Sequence, residues 1–122
     1  MKIALVVDDI VYNRELFARH LESLGFKVLH AGNGQEALEI LRRTKVSVLL
    51  LDHFMPIMTG LDLLQAIALE FPDFATPVIM MSTTQSINRL AVAERGAWDW
   101  VEKPASLAAI RAVLQRVGVF DY

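Results

Sequence analysis

The sequence predicts an α/β fold: a doubly wound, five-stranded parallel sheet with helices on both faces. Three observations lead there. Short apolar runs recur at 3–7, 27–31, 46–51, 78–81 and 97–101, and their nearly unbroken hydrophobicity is that of strands buried on both sides. Segments with helical spacing of apolar residues lie between them. Strict alternation of the two kinds requires parallel strands joined by right-handed crossovers.

Each helix has its own warrant. Phe17, Leu21 and Leu24 share a face of the first, and Gly25 stands where it should stop. In the second, Ala37, Leu38 and Leu41 follow Asn33 and Glu36, which are spaced as a capping box, and Arg42 and Arg43 end it where cations complement the dipole. Leu64, Ile67 and Phe71 mark the third, opened by Thr59 and Asp62 at the same spacing. Ile87, Leu90 and Ala91 mark a fourth over 86–95, ending at Gly96. Leu107, Ile110, Leu114 and Val117 mark the fifth, with Ser106 as its N-cap. Met55, Met58, Met80 and Met81 read as gap-filling core.

Composition narrows the function. A chain of 122 residues suits one domain, expected to run over 1–122 with no effector domain behind the last helix. The formal charge is −2 and the 12 basic residues are scattered, so there is no electrostatic footprint for nucleic acid or anionic lipid. The absence of Cys excludes a disulfide framework, thiol catalysis and Cys-ligated metal, and is compatible with a reducing cytosol. The opening apolar run ends at once in Asp8 and Asp9, too short for a signal segment or a membrane span. The expectation is a soluble cytoplasmic protein that contacts neither membrane nor nucleic acid directly.

In open parallel sheets the ligand crevice lies beyond the carboxyl ends of the strands. There the chain places Asp8 and Asp9 after the first run, Asp52 after the third, Ser82 and Thr83 after the fourth, and Lys103 with Pro104 after the fifth. Three carboxylates at one rim repel one another unless a cation neutralises them. Oxygen-only ligands favour Mg²⁺ or Mn²⁺ over zinc, with Lys103 as a fixed positive charge opposite. His20, His30 and His53 share no metal-ligand spacing.

The acidic pair Asp8 and Asp9, the segment LDHFMPIMTG over 51–60, the run PVIMMS over 77–82 and the segment GAWDWVEKP over 96–104 together resemble the receiver domains of two-component response regulators. The similarity extends from Met1 to about Val117. It implies the flavodoxin-like strand order 2-1-3-4-5 and a phosphoacceptor signalling module rather than a conventional turnover enzyme. By the same resemblance, Asp52 is the nucleophile that takes a phosphoryl group from a histidine kinase or phosphotransfer protein. Asp9 and Asp52 bind Mg²⁺, Asp8 does so through water, and the Phe54 carbonyl is a further ligand. Lys103 pairs with Asp52 and then with a phosphoryl oxygen. Ser82 bonds the arriving group, and Trp100 is the switch aromatic that turns inward. A downstream protein would then recognise the surface of the fourth helix, fifth strand and fifth helix. The resemblance also implies a cis bond between Lys103 and Pro104. Three positions depart from the family's usual residues: Trp100 for Tyr or Phe, Thr83 for Ala or Gly, and Ser82 for Thr.

Three rival readings remain to be weighed. Gly32-Asn33-Gly34-Gln35-Glu36-Ala37 fits a G-x-G-x-x-A dinucleotide fingerprint with Asp52 as the distal acid, but the chain is short for a paired Rossmann sheet and its acids would face the pyrophosphate. A receiver-like interaction module that is never phosphorylated would not require all five site positions intact. Flavodoxin-type electron carriage calls for a hydroxyl-rich phosphate loop where this chain has two acids.

Overall fold

The computed structural model describes residues 2–55, 57–82 and 96–120. Five strands, β1 (Ile3–Val7), β2 (Lys27–Ala31), β3 (Val48–Asp52), β4 (Val78–Ser82) and β5 (Asp99–Glu102), pair in parallel in the order β2-β1-β3-β4-β5. Among the described residues the helices are α1 (Val11–Ser23), α2 (Gly34–Arg43), α3 (Gly60–Glu70) and α4 (Leu107–Arg116). The helix expected over 86–95 lies outside the described residues.

Period-two alternation sorts the strand residues into two cores. Leu5, Val7, Leu49, Leu51, Val78, Met80 and Trp100 face α2 and α3 through Ala37, Leu38, Leu63, Leu64 and Ile67. Ala4, Val6, Val48, Leu50, Ile79, Met81 and Val101 face α1 and α4 through Phe17, Leu21, Ile110, Val113 and Leu114. Helices therefore cover both sides, and β1, β3 and β4 are sealed between them. Strand β2 departs from expectation: Lys27 and His30 are exposed because β2 pairs only with β1 and forms the sheet edge.

Local chemistry ends the helices where expected. Gly25 (φ 93°) follows α1, its N–H reaching the Glu22 carbonyl while Phe26 N–H reaches Leu21, the Schellman pattern. Gly118 (φ 82°) closes α4 the same way, with bonds to Gln115 and Leu114. Thr59 and Asp62 form a full capping box. Asn33 caps Glu36 N–H, but the Glu36 carboxylate accepts from Gly32 N–H and the Asn33 side-chain amide instead of the Asn33 backbone N–H, so that box is half made.

The last strand starts later than its apolar run. Pairing begins at Asp99 opposite Ile79, so Trp98 precedes the strand and is 56% exposed, whereas Trp100 within it is buried. Position 98 is level with Val78, the first residue of β4, at the rim where the sheet begins.

Candidate functional site

The parallel arrangement brings every strand's carboxyl end to one edge. Asp8 and Asp9 follow β1, Asp52 and Ser82 are the last residues of β3 and β4, and Lys103 follows β5. Continuation of the ladder fixes these ends. Asp8 N–H donates to Ala31 at 3.1 Å, His53 N–H to Met81 at 2.9 Å, and Lys103 N–H to Ser82 at 2.7 Å. The Lys103–Pro104 bond is cis.

Lys103 reaches back into the crevice and is shared. Its ammonium lies 2.8 Å from Asp8 Oδ2 and 3.0 Å from Asp52 Oδ1, with only 6% of its side chain exposed. Oxygen atoms of Asp8, Asp9 and Asp52 all fall within 4.8 Å of one another. Asp8 and Asp52 are buried, whereas Asp9 is exposed. One ammonium thus faces three carboxylates. Burial pushes the Asp52 carboxyl above its ordinary range; the Lys103 hydrogen bond opposes this and the Asp8 charge adds to it. Burial pulls the Lys103 ammonium down, but its hydrogen bonds to Asp8 and Asp52 prevail and hold it above its usual value.

The donor set fits a hard divalent cation. It is all oxygen, it is short of positive charge, and Asp9 keeps an exposed carboxylate for direct ligation. Both Asp8 oxygens are already engaged, Oδ1 by Ile10 N–H at 2.9 Å and Oδ2 by Lys103.

The other predicted residues surround this cluster. The Phe54 backbone weakly opposes the upward push on the Asp52 carboxyl, while Phe54 is 55% exposed and its ring meets His53 edge-on at 4.5 Å. His53 has a buried, unpartnered Nδ1, and burial lowers its pKa. Ser82 is fully buried. The Trp100 indole is buried in the cluster that contains Met80. Thr83 lies outside the described residues.

Three contributors escaped the sequence reading. Arg14 donates to the Asp8 carbonyl at 2.8 Å. Gly60 lets α3 start against the end of β3, since a Cβ there would stand 2.6 Å from the Asp52 backbone oxygen. Gly34, read as part of a dinucleotide fingerprint, instead accommodates Met58, whose Sδ would lie 2.2 Å from an added Cβ. A glycine opening a helix signals close approach, though not to what.

A profile of the family described as response regulator receiver domain matches residues 4–115. The probable transcriptional regulatory protein TcrX of Mycobacterium tuberculosis is 34% identical over 120 residues, covering 94% of this chain and 50% of that protein. The chain thus spans about half the length of that curated relative. Among solved structures, the chemotaxis protein CheY4 of Vibrio cholerae matches with TM-score 0.88 and 30% identity over 96% of this chain and 98% of that one. The response regulator TrrA of Thermotoga maritima, in complex with Mg²⁺-BeF, matches with TM-score 0.84 and 26% identity over 96% and 99%. Strand order, acidic rim and matched sequence agree: the chain belongs to the response regulator receiver domain family, a phosphorylation-based signalling module of two-component systems.

Proposed function

We propose that Asp52 accepts a phosphoryl group from the phosphohistidine of a histidine kinase or phosphotransfer protein. An Asp52 oxygen forms the bond to phosphorus as the P–N bond breaks, and the electron pair leaves with the imidazole nitrogen, which takes up a proton. The observation that carries this reading is the single ammonium of Lys103 bonded to Asp8 and Asp52 together, with Asp9 alongside. Such a rim has an unmet need for positive charge next to a carboxylate aimed at the crevice.

Asp9, Asp52 and the Phe54 carbonyl would hold Mg²⁺, or Mn²⁺ in its place, directly, and Asp8 would do so through water because its own oxygens are engaged. When bound, the ion supplies charge neutralisation to the phosphoryl oxygens. Lys103 exchanges its Asp52 contact for a phosphoryl oxygen while keeping Asp8. The Ser82 hydroxyl bonds a second phosphoryl oxygen. Trp100 is buried beforehand, so its response is a repacking within its cluster.

A downstream protein then reads the face carrying β5 and α4, where Trp98 is 56% exposed and Arg116 pairs with Asp99 at 2.8 Å. The module promotes its own phosphorylation without acting as a turnover enzyme, and it works in the cytoplasm. No helix among the described residues is long and apolar enough to cross a membrane. Incubation with a small-molecule phosphodonor and Mg²⁺ should add one phosphoryl mass to the wild type and none to Asp52→Ala. Equal uptake by the variant would remove Asp52 from the reaction.

A further inference from the structure

Every polar group of Asp8 has a protein partner. Its N–H donates to Ala31, Oδ1 accepts from Ile10 N–H, Oδ2 accepts from Lys103, and its backbone carbonyl accepts from Arg14 Nη1 at 2.8 Å. Asp9 differs: it is exposed, and among the described residues no hydrogen bond or ion pair holds its carboxylate. Its position therefore depends on its backbone. The Asp8 carbonyl and the Asp9 nitrogen belong to one planar peptide unit, so whatever holds that carbonyl sets the plane from which the Asp9 side chain departs.

Arg14 is the group that holds it. It is the fourth residue of α1, and its guanidinium is partly buried, with an Nε that has neither solvent nor partner. A Cβ at Gly32 would stand 3.4 Å from Nη1, so the guanidinium occupies a notch between the turns after β1 and β2.

We propose that Arg14 is a positioning residue for divalent-cation binding: by fixing the Asp8–Asp9 peptide it aims the Asp9 carboxylate at the ion without touching the ion itself. The inference rests on the reading of Asp8, Asp9 and Asp52 as a cation site. The sign of the effect separates positioning from charge. Arg14 is itself a cation beside a cation site, so electrostatics alone predicts tighter binding when it is removed. Positioning predicts weaker binding, by about 10-fold or more, as partners that orient metal ligands generally do.

The test is a titration with Mn²⁺ alone, without phosphodonor, followed by loss of the free-ion electron paramagnetic resonance signal. The proteins are wild type, Arg14→Met, Arg14→Lys and Asp9→Asn, each with its melting temperature recorded in chelator. The wild type should bind one ion, and Asp9→Asn and Arg14→Met should each bind about 10-fold more weakly or worse. Arg14→Lys should fall between, because it keeps the charge but loses the reach. In labelled protein, the Asp8 carbonyl-carbon resonance should move in both Arg14 variants before any ion is added. Binding by Arg14→Met as tight as wild type, or tighter, overturns the inference and leaves the site standing. If Arg14→Met does not fold, Arg14→Lys decides alone, and wild-type affinity refutes the role. A wild type that binds no Mn²⁺ overturns the site reading and this inference together, an outcome distinct from the other two.

Discussion

Replacing the Asp52 carboxylate with its uncharged amide, Asp52→Asn, should stabilise the metal-free protein. At an effective dielectric of about 20, carboxylate oxygens no more than 4.8 Å apart repel by at least about 3.5 kcal/mol, and the Lys103–Asp52 pair at 3.0 Å attracts by about 5.5 kcal/mol. Asp52 feels two such repulsions, from Asp8 and the more screened Asp9, against one attraction. The opposing contributions nearly cancel, and the burial penalty of a carboxylate only 3% exposed tips the sum. The Lys103–Asp8 pair survives the substitution. A gain of about 1–3 kcal/mol follows, or roughly 4–10 °C in melting temperature for a domain of this size. The pH dependence carries the same sign. Asp52 binds its proton more tightly folded than unfolded, so above the ordinary value of 3.8 the native state retains a proton that the unfolded chain has released. Wild-type stability therefore falls as pH rises from there through the elevated value, and the Asn variant lacks this decline. Thermal melts across pH in chelator measure it, and millimolar Mg²⁺ should narrow or reverse the gap by stabilising the wild type. A variant that melts below wild type at neutral pH in chelator refutes the picture of a rim overloaded with negative charge.

The opposite substitution, Lys103→Met, leaves Asp8 and Asp52 buried without their shared cation and should lose about 3–5 kcal/mol at neutral pH, recovering partly in acid as a carboxylate takes a proton; urea unfolding at two pH values tests both statements, and an unchanged midpoint contradicts them. Gly60→Ala should lose about 1–3 kcal/mol because the new methyl meets backbone at Asp52, whereas Gly34→Ala meets the flexible end of Met58 and should lose less; the reverse order in denaturant melts would discredit the packing argument. With a phosphoryl mimic, intrinsic fluorescence should change in wild type and in Trp98→Phe but not in Trp100→Phe, since Trp98 is exposed and Trp100 lies in the core. A signal that survives loss of Trp100 and vanishes with Trp98 moves the switch to the surface.

Much of this architecture was legible in the sequence because the carboxyl ends of buried parallel strands leave a direct trace: an apolar run followed by a polar residue. Asp8, Asp52 and Ser82 each follow such a run, and all five strands fall at or within two residues of the predicted places. What stayed hidden came from relations between turns. Arg14 carries no periodic or motif signal for its bond to a carbonyl across the β1 turn, and nothing in Gly34 names Met58 as its neighbour. Hydrophobicity alone does not say which strand ends up at an edge, so the run at 27–31 carries no sign that Lys27 and His30 are exposed. The apolar run at 97–101 likewise does not show that pairing waits until Asp99 and leaves Trp98 outside the strand.

The sharing of Lys103 between Asp8 and Asp52 has a consequence for when the protein becomes competent. The three residues come from the beginning, middle and end of the chain, and the lysine is delivered by β5, which pairs with β4 alone at the far edge of the sheet. Contacts of such sequence separation form late, after the loops between them have closed. An edge strand is also an element that can open locally while the central strands stay paired. On the proposed reading, a molecule whose β5 has opened holds Asp8 and Asp52 without their shared ammonium, so it should take up a phosphoryl group more slowly than one whose edge strand is paired.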